Sequence, residues 1–147
     1  MYLLDTNVLS ALRKVADQRN EPVHAWAHGQ DTASLFISVV SLLEIRRGIH
    51  LLEKRNDQFQ AALLSVWLEN HVLPAFAGRI LVVSQAVVLR AATLPWSSPN
   101  DYRDALLVAT ALVHGAAVVT RKTKHFEATG VTLIDPWRPV KSGRATI

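Results

Sequence analysis

The chain contains no cysteine. That excludes disulfides, thiol nucleophiles and thiolate metal sites, and it leaves the redox compartment unread. No apolar run reaches the roughly 20 residues that span a bilayer. The first residues enter a strand at once and lack the basic, apolar and small-residue regions of a signal peptide. No membrane partner and a cytoplasmic location are therefore expected. A Gly-rich phosphate loop is also missing, which removes support for a small-molecule phosphohydrolase. Repeats, linkers and low-complexity segments are absent too, and 147 residues is the usual size of one domain. One domain over 1–147 is expected, with the basic tail from about residue 138 frayed. His24, His28, His50, His71 and His114 show no coherent metal spacing and read as surface or satisfied histidines.

Acidic residues are the scarcer charge, at 12 against 16 lysines and arginines, for a net charge of +4 and a pI near 9.9. Solubility alone accounts for so small an excess. The sharper reading is a polyanionic partner, either nucleic acid or an acidic peptide.

Half of the residues are apolar, enough for a substantial core. Short continuous apolar runs at 2–4, 35–37, 80–83, 117–120 and 131–134 read as strands. Helical patterns alternate with them, with starts expected at Asp5 or Thr6, Pro22, Ser38 or Ser41, Ser84, and Asn100 or Asp101. The longest pattern, 57–76, reads as one amphipathic helix ended by Pro74 and Gly78. Residues 95–99 read as a turn-rich loop. Alternation of this kind predicts an α/β fold with a mainly parallel sheet buried on both faces.

Three acids stand in strongly apolar segments: Asp5 after Leu3-Leu4, Glu44 after Leu42-Leu43, and Asp104 before Ala105-Leu106-Leu107. A carboxylate in apolar surroundings is costly unless paired, hydrogen-bonded or bound to a cation. Each acid alone has a plainer reading. Asp5 is placed to cap a helix, Asp104 to sit in a first helical turn, and Glu44 to pair with Arg46, Arg47 or Lys54. Brought together at the carboxyl edge of a parallel sheet, they form an oxygen-rich pocket for Mg²⁺ or Mn²⁺. Hydrolysis of a phosphodiester is the natural reaction there.

The ordered set resembles a known family. Leu3-Leu4-Asp5-Thr6-Asn7-Val8-Leu9-Ser10 is similar to the opening motif of PIN-domain nucleases. The segments Val39-Val40-Ser41-Leu42-Leu43-Glu44-Ile45-Arg46-Arg47-Gly48-Ile49 and Asp104-Ala105-Leu106-Leu107-Val108-Ala109-Thr110-Ala111 are similar to the second and third. Val118-Val119-Thr120-Arg121 and Ile134-Asp135-Pro136-Trp137 complete the match, which is nearest to VapC-type toxins of the FitB-like branch. The resemblance implies a three-layer α/β/α fold and an Mg²⁺- or Mn²⁺-dependent endoribonuclease. The RNA is often structured, such as tRNA or rRNA. It further implies the toxin of a type II toxin–antitoxin system: a homodimer held inactive by a cognate antitoxin and reaching DNA only through it. By position, Asp5, Glu44 and Asp104 are the catalytic and metal-site carboxylates, and Thr6, Asn7 and Thr120 their polar support.

One departure matters. The family pattern Thr-Arg-Asn-x-x-Asp-Phe reads here Thr120-Arg121-Lys122-Thr123-Lys124-His125-Phe126. His125 stands where an acid is expected and Lys122 where the asparagine is. The pocket loses a negative charge, and an imidazole suits Mn²⁺ and later transition metals better than Mg²⁺. His125 is a metal ligand, a protonated group that repels the metal or contacts phosphate, or a solvated loop residue. Weak catalysis would leave a PIN-like binding module acting through an antitoxin–DNA complex. Arg121, Lys122 and Lys124 are candidates to hold an RNA backbone. Trp96 is a candidate base-stacking residue. The apolar surfaces of 57–76 and of the helix after Ser84 are candidates for a dimer face or an antitoxin groove.

Overall fold

The computed structural model describes residues 1–95 and 101–138. Five short strands form one sheet: β1 (Tyr2–Leu4), β2 (Leu35–Ser38), β3 (Ile80–Leu81), β4 (Ala117–Val119) and β5 (Leu133–Ile134). Their order is β3-β2-β1-β4-β5, and every neighbouring pair is parallel. Tyr2 lies opposite both Leu35 and Ala117, so β1 is hydrogen-bonded on both sides at the centre.

Side chains alternate across a strand, and here the alternation divides the core in two. Leu4, Ile37 and Val119 face one layer of helices. That layer holds α1 (Thr6–Arg13), α2 (Glu21–His28), α3 (Val39–Lys54) and α4 (Gln58–Trp67), which contribute Val8, Val23, Ile49 and Ala61. Leu3 and Val118 face the other layer. It holds α6 (Gln85–Ala91), α7 (Tyr102–His114) and α8 (Thr123–Phe126), which contribute Val87, Val108 and Phe126. A sheet covered on both faces explains why its strands read as unbroken apolar runs. The fold is the expected three-layer α/β/α arrangement.

Two details differ from the sequence expectation. The third and fifth strands are two residues long, not four. Leu81 pairs with Ser38, where β2 ends, so β3 has no partner beyond it; β5 pairs Leu133 with Val118 and Ile134 with Val119. The segment 57–76 is not one uniform helix. Asp57 caps α4, Leu68–Val72 forms a wider π turn, and the short α5 (Leu73–Ala75) follows. Pro74 has no N–H to offer the preceding turn and its ring crowds that turn's carbonyls, which accounts for the widening before it.

α7 stops at Gly115, whose φ of 67° lies in the left-handed region that glycine reaches without strain. Ala116 N then donates to Ala111 O at 2.8 Å, closing the helix end and turning the chain into β4. No helix among the described residues is long and apolar enough to cross a membrane. Trp96, most of the loop at 95–99 and the tail beyond 138 lie outside the described residues.

Candidate active site

From β1 the chain builds outward through β2 and β3, and only later fills β4 and β5 on the other side. The direction reverses between β1 and β4. Open parallel sheets form their sites at such a point, beyond the carboxyl ends of the strands. Asp5 follows β1 and Thr120 follows β4, and Asp5 N donates to Val119 O at 2.9 Å.

Asp5 is 1 % exposed and fully engaged. Its Oδ1 accepts from Thr6 N at 2.7 Å, which caps α1. Its Oδ2 accepts from the Thr120 hydroxyl at 2.8 Å and from the Asn7 amide at 3.2 Å. Asn7 Oδ1 accepts from Arg121 N at 3.3 Å, so one side chain ties both strand ends. These partners fix where the Asp5 oxygens point.

Glu44 is positioned by the start of α3. Ser38, buried at the end of β2, caps that helix through Val40 N at 3.0 Å. Ser41 and Glu44 then share a face, being three residues apart on a helix. Thr6 Oγ1 lies 2.9 Å from Glu44 Oε1 and 3.0 Å from Ser41 Oγ. Thr6 therefore links the first and second acids. The cation at Glu44 is Arg103, 4.0 Å from Oε2, rather than Arg46, Arg47 or Lys54. Arg46 pairs with Glu53 at 3.7 Å.

Asp104, 4 % exposed in the first turn of α7, approaches from the other helix layer. Lys122 Nζ lies 3.2 Å from its Oδ1 and 3.4 Å from its Oδ2. His125 Nε2 stands 3.5 Å from Oδ2. Lys122 N donates to Thr120 Oγ1 at 3.0 Å, so the hydroxyl that orients Asp5 also anchors Lys122. Sequence reading gave no site role to Ser41 or Asp101. Ser41 carries a spacing signal, three residues before Glu44. Asp101 reads equally as a helix start, and its buried Oδ1 has no hydrogen-bond partner, with Arg103 Nε at 3.6 Å.

Burial drives the pKa of Glu44 up, assisted by Asp5 and opposed by the Thr6 hydrogen bond, Lys122 and Arg103. Burial likewise raises Asp104, assisted by Asp101 and Asp5 and opposed by Lys122. Burial disfavours the Lys122 ammonium, but Asp5, Asp104 and Glu44 outweigh it and its pKa is raised. The carboxylate shifts have a definite sign. Both acids hold a proton more tightly folded than unfolded, so their ionisation costs the metal-free fold stability. The cost is absent below the ordinary carboxylate range and complete once the pH passes the raised folded values. Lys122 follows the same sign over a higher range: its pairing stabilises the fold below the ordinary lysine range, and that contribution is lost as the pH climbs through its raised folded value. Glu44→Gln removes one of the carboxylate costs. In melts with a chelator, the variant is expected to match wild type at acid pH and to exceed its Tm near neutrality. Parallel Tm-against-pH curves for the two proteins would contradict this.

Among the described residues, no three His, Cys, Asp or Glu side chains gather closely enough to cage an ion. A hard divalent cation needs no such cage, since Mg²⁺ keeps several waters and uses one or two carboxylates. The donor set is oxygen-only at Asp5, Glu44 and Asp104, and Asp101, ion-paired to Arg103, adds a carboxylate near Asp104. These residues fit a hard cation. An open cleft of about 830 Å³ reaches Asp104 but not Asp5 or Glu44, and is lined also by Lys122, Lys124, His125, Asp135 and Trp137. Arg121 stacks over Trp137, its guanidinium 5.0 Å from the ring centre, which holds a cation at the cleft wall.

The PIN domain family model matches residues 2–131. The VapC ribonuclease Y4jK of Sinorhizobium fredii is 36 % identical over 146 residues, covering 95 % of this chain and 99 % of that protein. Toxin FitB of Neisseria gonorrhoeae is 34 % identical over 145 residues, covering 93 % of this chain and 99 % of the toxin. The solved structure of FitAB bound to an IR36 DNA fragment superposes with a TM-score of 0.83 at 31 % identity, covering 97 % of this chain and 99 % of the matched one.

Proposed function

As the chain belongs to the PIN-domain family, we propose that it is the toxin of a type II toxin–antitoxin system and a divalent-metal-dependent endoribonuclease. The observation that carries this reading is the Thr6 bridge. One hydroxyl ties Glu44 to the turn that Asp5 caps, at the switch point of the sheet, with Asp104 facing them from α7. In this proposal the functional unit is one domain over 1–147.

Asp5, Glu44 and Asp104 hold the ion, and Thr6, Asn7 and Thr120 fix the oxygens that do so. When bound, a divalent cation activates a water and neutralises charge on the scissile phosphate. Arg121 and Lys124, which line the cleft, bind the RNA backbone. The cognate antitoxin and a second copy of the chain use the apolar surfaces left open on α4 and α6. Phe59, Leu63 and Val66 on α4, and Val88 and Leu89 on α6, support that assignment by their exposure. DNA is reached through the antitoxin. One contact favours the weaker-catalyst reading, in which the chain acts mainly as a binding module: Lys122 already sits on Asp104.

Mn²⁺ is the preferred ion in this proposal, because His125 stands at the rim where it reaches Asp104. Cleavage of structured RNA, titrated with each metal, tests both points. Wild type is expected to reach half-maximal rate at about ten-fold less Mn²⁺ than Mg²⁺, and EDTA to stop it. His125→Asp is expected to shift the preference toward Mg²⁺. Cleavage that survives EDTA sinks the metal-dependent reading. Identical metal curves for the two proteins remove His125 from the site.

A further inference from the structure

Among the described residues, Lys122 brings its ammonium onto one of the three acids, Asp104. Its Nζ contacts both oxygens of Asp104, at 3.2 and 3.4 Å, while Asp5 and Glu44 are close enough to act on its charge. It is held from below as well as from the front. Its backbone N is tied to Thr120 Oγ1 at 3.0 Å. It stands at the residue before α8, whose Phe126 is fully buried, and its Nζ lies 6.0 Å from that ring. Its backbone is thereby fixed, so reaching Asp104 requires ordering only the side chain.

The charges of the pocket are unequal. Asp5, Glu44 and Asp104 bring three negative charges, and Arg103 is shared between Asp101 at 3.6 Å and Glu44 at 4.0 Å. Lys122 returns one positive charge at Asp104. A single divalent ion neutralises the remainder, and a second would leave an uncompensated excess in a half-buried pocket, which is unfavourable.

Resting on the reading of this pocket as a metal site, we propose that Lys122 is a resident cation of the active site: its ammonium occupies Asp104, competes with divalent ions for that carboxylate and limits the pocket to one ion. The ion is then held first by Asp5 and Glu44, and Asp104 joins them only as Lys122 yields that carboxylate. Lys122 is thus a positioning and affinity-setting residue for the metal.

Isothermal titration of the purified full-length chain with Mn²⁺, joined to electron paramagnetic resonance counting of bound Mn²⁺, tests this without reference to catalysis. Wild type is expected to bind one ion per chain. Lys122→Gln is expected to bind about 10- to 100-fold more tightly and to take up a second ion. Lys122→Arg keeps the charge and is expected to keep wild-type stoichiometry. Circular dichroism melts establish that each variant is folded, and Lys122→Met repeats the measurement should the glutamine variant not fold. Two ions on wild type, or equal affinity and stoichiometry for wild type and Lys122→Gln, overturn the role of Lys122 alone. If no variant binds Mn²⁺ at all, the metal-site reading falls and this inference falls with it.

Discussion

Asp5→Ala is expected to abolish RNA cleavage and growth arrest together, lowering turnover by at least about a hundred-fold. The effect is large because one side chain has several tasks. It is a proposed metal ligand, it caps α1 through Thr6 N, and it accepts from Thr120 and Asn7. Loss of the cap costs about 1 kcal/mol, and the buried Thr120 hydroxyl is left without that acceptor. A fall in stability therefore accompanies the variant, and it has to be separated from a fall in catalysis. Asp5→Asn does so, since asparagine caps a helix as well as aspartate. Both variants are to be assayed for cleavage beside urea unfolding. A folded Asp5→Ala protein that remains toxic and still binds its antitoxin would mean that the chain works as a binding module.

The largest stability effect is expected at Phe126, where truncation to alanine should cost about 3–5 kcal/mol. Phe126 is fully buried against the helix layer that includes α6 and α7. It sits in α8, a helix of only four residues whose own hydrogen bonds are few. Burial of this ring is what fixes α8 to the sheet. Lys122 begins that helix and His125 precedes Phe126 within it, so truncation should also loosen both residues at Asp104. Phe126→Leu refills much of the volume and should recover more than half of the loss. Urea unfolding decides: a cost below about 1 kcal/mol for the alanine variant would show that α8 is held by something else.

The layering was legible in the sequence because each strand is an unbroken apolar run, and only a sheet buried on both faces calls for that. The helix starts at Asp5, Ser38 and Ser84 were legible because their side chains accept backbone N–H groups close by in sequence. Strand ends were not, since they depend on where a neighbour stops, as at Ser38 beside Leu81. The π turn at Leu68–Val72 was hidden behind a periodicity that continues across it, although Pro74 marked the place. Within the site, the acids stood out by their apolar settings. Their counter-charges did not. Glu44 meets Arg103 from a distant helix and Asp104 meets Lys122 from beyond β4, and no local spacing announces either contact.

The bond between Thr120 and Asp5 joins residues 115 positions apart. Its consequence reaches back to synthesis. A nascent chain that has emerged as far as α7 already carries all three acids, yet it lacks the strand that completes Asp5's surroundings. The geometry of the proposed site is therefore completed late in translation, after β4 has docked beside β1.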